Sequence, residues 1–256
     1  MKQELRNSLK TVTDVGFCGG YTWLSWALAT AALPWERRYK ASNWVVSKIW
    51  SRGMLRYYGA EVVCTGVEHV DPNGTYVFMS NHQSHFDILT IFLTVPVSLR
   101  FVAKRELFKI PFFGWYLHAA GHVRVDRSDR AGAIRSLDGA AEQIRAGTPI
   151  VAFPEGSRSD DGEVKPFKKG PFMLALKAGV PVVPVSITGS HDVLPKGALS
   201  AKPGTIWIHY GEPIDLTGMS VDDRDRLMGL VRDAIVRNKA ELDRRRSSGD
   251  PGRSPE

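Results

Sequence analysis

Cysteine is nearly missing from this chain of 256 residues: there are two, Cys18 and Cys64, both inside apolar stretches and with no Cys-x-x-Cys spacing. That excludes a disulfide framework and a cysteine-rich metal site, and it fits a reducing compartment. No Gly-x-Ser-x-Gly elbow occurs, which argues against a serine hydrolase, and no phosphate-binding Gly-x-x-x-x-Gly-Lys-Ser/Thr loop occurs, which argues against a nucleoside triphosphatase. No internal repeat is present, so a solenoid is excluded. Positive charge is also scarce where a nucleic-acid surface would need it. Of the formal net charge of +7, the segment Met1 to Ala60 holds nine Lys/Arg against three Asp/Glu, which is +6 and leaves +1 for everything after it. A near-neutral body with one basic end argues against a nucleic-acid partner and for attraction to an anionic lipid surface.

The residues between those N-terminal charges point the same way. From Val15 to Trp35 there is no charged side chain, and the run VGFCGGYTWLSWALATAALPW is rich in Trp, Leu and Ala. At about 1.5 Å per helical residue, about 20 residues match a hydrocarbon layer of about 30 Å. Gly16, Gly19, Gly20, Thr22, Ser25 and Pro34 weaken it as a spanning segment. The stretch Ser42 to Tyr58 interleaves Trp44, Val45, Val46, Ile49, Trp50, Met54 and Leu55 with Lys48, Arg52 and Arg56, the pattern of a basic amphipathic helix at a membrane interface. The expectation is a pair of membrane-engaging helices over 1–59, spanning or half-inserted. The competing reading is two ordinary helices covering a core face. A cleaved leader, suggested by Ala29-Thr30-Ala31, is opposed by the acidic Glu4 and Asp14 ahead of the apolar run.

After Gly59, short apolar runs alternate with amphipathic stretches, which predicts an α/β domain over 60–245: a mixed central sheet flanked by helices. Strands are expected at Ala60 to Thr65, Thr75 to Ser80, Leu99 to Ala103, His122 to Asp126, Pro149 to Phe153, Pro181 to Thr188 and Thr205 to Tyr210. Helices are expected at Ser84 to Thr94, Leu107 to Ala120, Arg130 to Arg145, Pro171 to Ala178 and Val221 to Arg244. The tail 246–256 has no apolar anchor and is expected to be disordered.

Four segments carry chemistry. Asn81-His82-Gln83-Ser84-His85-Phe86-Asp87 follows the apolar run TYVFMS and leads into ILTIFLT, which puts His82 in a strand-to-helix turn. Ser84 and Asp87 have the spacing of an N-terminal capping box, so Asp87 has a structural reading as a helix cap. A carboxylate there also orients a preceding imidazole, and a histidine held by an aspartate is a general base. Phe153-Pro154-Glu155-Gly156-Ser157-Arg158-Ser159 follows the strand PIVAF, where an Arg beside a Gly-Ser turn suits a phosphate. Lys168 and Lys169, with Gly170 opening the next helix, add anion donors. Lys104-Arg105-Glu106-Leu107 and Gly121-His122-Val123-Arg124-Val125-Asp126-Arg127 bring basic residues to two further strand ends. A metal cluster of His82, His85 and Asp87, with His118 and His122 as a second pair, matches no known hydrolase spacing.

In that order and at these separations, NHQSHFD, GHVRVDR, FPEGSRS and VPVVPVSI resemble the four motifs of the glycerolipid acyltransferase family, over about Ala60 to Asp215. The resemblance implies that His82 is the catalytic base and Asp87 its partner. It places Glu155, Gly156, Ser157 and Arg158 in the acceptor-binding motif, Arg127 in a second phosphate-binding motif, and Lys104 beside the same phosphate; Pro184 would line the acyl site. Arg124 departs from the family pattern, which more often has an apolar or aromatic residue there. The activity implied is transfer of a fatty acyl group from acyl-CoA or acyl carrier protein to the sn-2 hydroxyl of lysophosphatidic acid, giving phosphatidic acid for phospholipid synthesis. No metal or cofactor is implied beyond that co-substrate. Membrane lipids are the expected surroundings, at the cytoplasmic face of the inner or plasma membrane. Glycerol-3-phosphate, a lyso-ornithine lipid or another lysophospholipid stay open as acceptors, and a non-catalytic lipid-binding protein on the same fold is the alternative of another class.

Overall fold

A computed structural model describes residues 2–33, 40–125 and 130–249. Its centre is a seven-stranded sheet in the order β1-β7-β6-β2-β5-β3-β4. The strands are β1 (Ala60–Thr65), β2 (Val77–Ser80), β3 (Arg100–Lys104), β4 (Val123–Val125), β5 (Ile150–Ala152), β6 (Val182–Thr188) and β7 (Gly204–Tyr210). All neighbours run parallel except β6 and β7, so the sheet is mixed as expected.

Both faces are covered, which is why the central strands read as continuous apolar runs. Alternation within each strand sorts side chains between two layers. Phe78, Val183, Val185 and Ile187 face a core shared with the N-terminal helices, α4 (Phe86–Thr94) and α5 (Phe113–Ala119). Val77, Met79 and Val182 face a second core with α6 (Arg130–Arg145), α7 (Gly170–Ala178) and α9 (Arg224–Ser248). Ends follow local chemistry: α4 stops at Val95, before Pro96, and α7 has Pro171 in its first turn and stops at Gly179, whose φ of +66° suits a residue without Cβ.

Two expectations are corrected. The helix predicted over Leu107 to Ala120 is split into a 3-10 turn, Arg105–Lys109, and α5. Pro111 has no N–H and disfavours helix at Ile110, so the chain breaks there; Gly114 restarts it by donating to the Ile110 carbonyl at 2.7 Å. The disorder expected from 246 does not hold for its first residues, because α9 continues through Ser248 with Arg246 paired to Asp192. Residues 250–256 lie outside the described residues.

The N-terminal segment forms α1 (Lys2–Ala32), followed by α2 (Lys40–Trp44), a π-helical stretch and α3 (Arg52–Tyr57). These helices are part of the body of the protein. Trp26 and Ala29 are buried, with Trp26 edge-on to Trp50, Phe113 and Tyr116. Asp14 is buried and accepts hydrogen bonds from Lys10, Tyr57 and Ser200, which ties α1 to the loop before β7. Among the described residues no helix is long and apolar enough to cross a membrane. The opposite side of α1 keeps Val12, Val15, Trp23, Leu24 and Leu28 exposed, and Trp115 and Ile110 are exposed on the α5 side. Trp23 meets Phe112 edge-on at 4.7 Å and Phe112 meets Trp115 at 4.8 Å, which joins the two sets into one apolar patch.

Candidate active site

The C-terminal end of β2 fixes the centre of the site. The buried Asn81 side chain donates to the Ile187 carbonyl and accepts from the Ile187 N–H, each at 2.8 Å, and so extends the β2–β6 ladder by one side-chain rung. The next residue, His82, is clamped by its backbone. Its N–H donates to Glu155 Oε1 at 3.1 Å, and its carbonyl accepts from the Ser159 N–H at 2.7 Å. The turn before α4 and the loop after β5 are thereby laced together. Its ring stacks on Phe153, centroids 4.0 Å apart and planes within 19°.

The imidazole Nδ1 lies 2.8 Å from Asp87 Oδ2. Asp87 sits in the first turn of α4 and is fully buried. The same oxygen accepts the Gln83 and Ser84 N–H groups at 2.7 and 2.8 Å, while Ser84 Oγ accepts from the Phe86 N–H at 3.2 Å. The structural and the chemical readings of Asp87 therefore both hold: it closes a capping arrangement and holds a histidine. An acceptor-only carboxylate on Nδ1 selects the tautomer with the proton on Nδ1. Nε2 then carries the lone pair, and it makes no hydrogen bond among the described residues.

The β5 loop supplies the anion side. Gly156, at φ +73°, turns the chain; a Cβ there would lie 2.9 Å from Lys168 Cε and Nζ, so the lysine ammonium passes over the turn. Lys165 Nζ donates to Ser157 Oγ at 3.0 Å and to the Arg158 carbonyl at 3.3 Å. The Arg158 guanidinium makes no hydrogen bond or ion pair among the described residues. Its charge acts on His85: desolvation first, then Arg158, holds His85 below the ordinary histidine range. Burial pushes Glu155 up to about 7, against hydrogen bonds from the backbone of His82 and Lys165, and the neighbouring Asp87 pushes it further. Its Oε2 is buried with no partner among the described residues.

The structure thus brings together His82, Asp87, Glu155, Gly156, Ser157 and Arg158, with Lys168 over the same turn. Arg127 lies outside the described residues, and so does the side chain of Lys104, whose backbone pairs with Val125 in the sheet. Pro184, expected at the acyl site, lies in β6 opposite Met79; its ring packs against Gly211, beside Asn238 on α9, and its carbonyl accepts from the Gly211 N–H. Among the described residues no group of three or more His, Cys, Asp or Glu is placed to share a metal ion. Sequence reasoning missed Asn81, Lys165 and Ser190. Lys165 had a signal in the basic run Lys165-Pro-Phe-Lys168-Lys169; the others had none, since their partners are distant in the chain.

Comparison with known proteins adds to this geometry. The acyltransferase family model matches residues 61–188. The 1-acyl-sn-glycerol-3-phosphate acyltransferase of Limnanthes alba is 34% identical over 220 residues, covering 85% of this chain and 77% of that one. The human 1-acyl-sn-glycerol-3-phosphate acyltransferase alpha is 32% identical over 180 residues, 70% of this chain and 64% of the other. The crystal structure of the 1-acyl-sn-glycerophosphate (LPA) acyltransferase PlsC from Thermotoga maritima superposes with a TM-score of 0.79 at 31% identity, covering 94% of this chain and 97% of that one.

Proposed function

Since the chain belongs to the acyltransferase family, we propose that it moves a fatty acyl group from a thioester donor to the sn-2 hydroxyl of 1-acyl-glycerol-3-phosphate, giving phosphatidic acid. The observation that carries this reading is the His82–Asp87 pair, at 2.8 Å with Nε2 left free.

His82 Nε2 takes the proton of the acceptor hydroxyl as its oxygen attacks the thioester carbonyl carbon. The Asp87 carboxylate stabilises the imidazolium that forms. The tetrahedral intermediate collapses, the C–S bond breaks, and the imidazolium returns its proton to the departing thiolate. The leaving group is acidic enough that one histidine serves both steps. The acceptor phosphate is taken by Arg158, whose guanidinium is unpaired among the described residues, with Lys168 over the Gly156 turn; Lys104 and Arg127 are further donors. The thioester is carried by coenzyme A or acyl carrier protein. The apolar patch of Trp23, Leu24, Leu28, Ile110 and Trp115 supports attachment to one leaflet, half-inserted, at the cytoplasmic face where the donors are found.

The test is phosphatidic acid formation from a radiolabelled acyl thioester and lysophosphatidic acid in detergent micelles, with glycerol-3-phosphate and a lyso-ornithine lipid as rival acceptors. Wild type makes phosphatidic acid, and His82→Ala loses about three to four orders of magnitude in kcat. A folded wild type that acylates only a rival acceptor overturns the acceptor assignment. A His82→Ala variant with full activity overturns the mechanism.

A further inference from the structure

Ser190 belongs to none of the four motifs. It opens the short turn α8 (Ser190–Val193) directly after β6. The chain reaches it through Gly189, at φ +83°, where a Cβ would lie 2.3 Å from the Thr205 carbonyl oxygen; only glycine passes this point. Ser190 is fully buried. Its Oγ is 2.5 Å from Asp87 Oδ1 and 3.3 Å from Gln83 Oε1. A hydroxyl has one proton, and the closer, charged acceptor takes it. The Gln83 amide is held in turn by its own donation to the Gly162 carbonyl at 2.6 Å.

The two oxygens of Asp87 are therefore used differently. Oδ2 receives the imidazole and two backbone N–H groups, while among the described residues the only donor to Oδ1 is Ser190. The two backbone N–H groups ahead of α4 that Asp87 serves are both met by Oδ2, so Ser190 adds no bond to the helix start. What it fixes is rotation about the Cβ–Cγ bond, which sets the direction in which Oδ2 faces Nδ1. We propose that Ser190 is a positioning residue, which locks the Asp87 carboxylate in the plane that presents Oδ2 to His82 Nδ1. The proposal rests on the reading of His82 as the base. Glu155 and His85 also face the dyad electrostatically, and Arg158 acts on His85, but among the described residues none of them donates to Oδ1.

The experiment is steady-state kinetics in the same micellar assay on Ser190→Ala, Asp87→Asn and the double variant, each checked for folding by thermal melting. The expected result for Ser190→Ala is a kcat reduced about tenfold to a hundredfold with KM within about twofold, from loss of one charge-assisted hydrogen bond. In the Asp87→Asn background, where the amide still bonds Ser190 but has no charge to present to Nδ1, the same substitution changes kcat by less than about twofold. If Ser190→Ala does not fold, Ser190→Cys, of similar size and with a weak donor, is measured instead and shows the same loss. An unchanged kcat, a rise in KM alone, or an equal loss in the Asp87→Asn background overturns the proposal. Full activity of His82→Ala would instead remove the mechanism on which it stands, so the two failures are distinguishable.

Discussion

Replacing Asp87 by asparagine separates the helix cap from the catalytic partner, because an amide is close to a carboxylate in shape but carries no charge. In wild type, Asp87 accepts four hydrogen bonds: from His82 Nδ1, the Gln83 N–H and the Ser84 N–H on one oxygen, and from Ser190 Oγ on the other. Asparagine can keep its carbonyl oxygen on the first three and turn its NH2 towards Ser190, whose hydroxyl rotates to accept. Each charge-assisted bond becomes neutral and loses about half its worth, roughly 1 kcal/mol apiece. Removing a buried charge offsets part of that, so a net cost of about 1–3 kcal/mol is expected against a total stability of about 5–15 kcal/mol. The variant folds. Alanine, by contrast, leaves two buried backbone N–H groups without acceptors at about 1–3 kcal/mol each, which would confuse unfolding with chemistry. For catalysis the amide cannot stabilise an imidazolium, and if its NH2 faces Nδ1 the ring adopts the tautomer with no lone pair on Nε2. The expected loss in kcat is about 10³–10⁴-fold, or about 4–5.5 kcal/mol of barrier, with KM little changed. Thermal melting by circular dichroism reads the first number, and phosphatidic acid formation reads the second. A folded Asp87→Asn enzyme that keeps more than about a tenth of wild-type kcat would show Asp87 to be a cap and nothing more.

Two other perturbations have worked-out signs. Glu155 is buried and pushed up to about 7 from a reference of 4.5, so between those values the folded state holds a proton that the unfolded chain has released. Wild-type stability is therefore greatest below about pH 4.5 with respect to this group and falls as pH rises towards 7. Glu155→Gln removes that fall; denaturant midpoints at pH 5 and pH 8 should differ less in the variant, and an unchanged difference refutes the assignment. Trp23 and Trp115 stand 53% and 57% exposed on the joined apolar patch, and changing both to serine should weaken binding to anionic vesicles by roughly tenfold or more while leaving turnover of a dispersed short-chain acceptor intact. Equal vesicle binding by both proteins in a flotation assay would move the lipid contact elsewhere.

Much of the fold was legible because of where the sheet lies. With both faces covered, strands such as VVPVSIT are mostly apolar on both faces, and such runs stand out against the helical stretches between them. The helices failed where one residue outweighed a periodic pattern, as Pro111 did in the predicted Leu107 to Ala120. The N-terminal helices carry both features that were weighed, a face buried in the core through Trp26 and Ala29 and a face left apolar in solvent at Trp23 and Leu24. Periodicity shows two apolar faces but not what covers each. The centre of the site was legible because its residues are close in sequence, His82 with Asp87 and Glu155 with Arg158. The side chains that hold it were not. Asn81 reaches Ile187 across 106 positions and Ser190 reaches Asp87 across 103, and no local pattern encodes such a pairing.

The spacing of His82 and Asp87 has a physical reason that joins the two roles of the carboxylate. A residue in the first turn of a helix faces the free N–H groups of the residues three and four positions before it, here Ser84 and Gln83. Those two donors and the positive end of α4 together stabilise a carboxylate at position 87 before any histidine is considered. The residue one step further back, at 82, has left the helix and ended the strand, so its ring is free to fold over the same oxygen. One residue fewer would put the histidine in the capping turn, with its backbone rather than its ring at the carboxylate. One residue more would put it at position 81, whose side chain faces Ile187 across the sheet rather than the carboxylate. A glutamate at 87 would overshoot both backbone donors. The helix start therefore holds the acid, the strand end holds the base, and the length of the turn between them sets the 2.8 Å contact on which the chemistry depends.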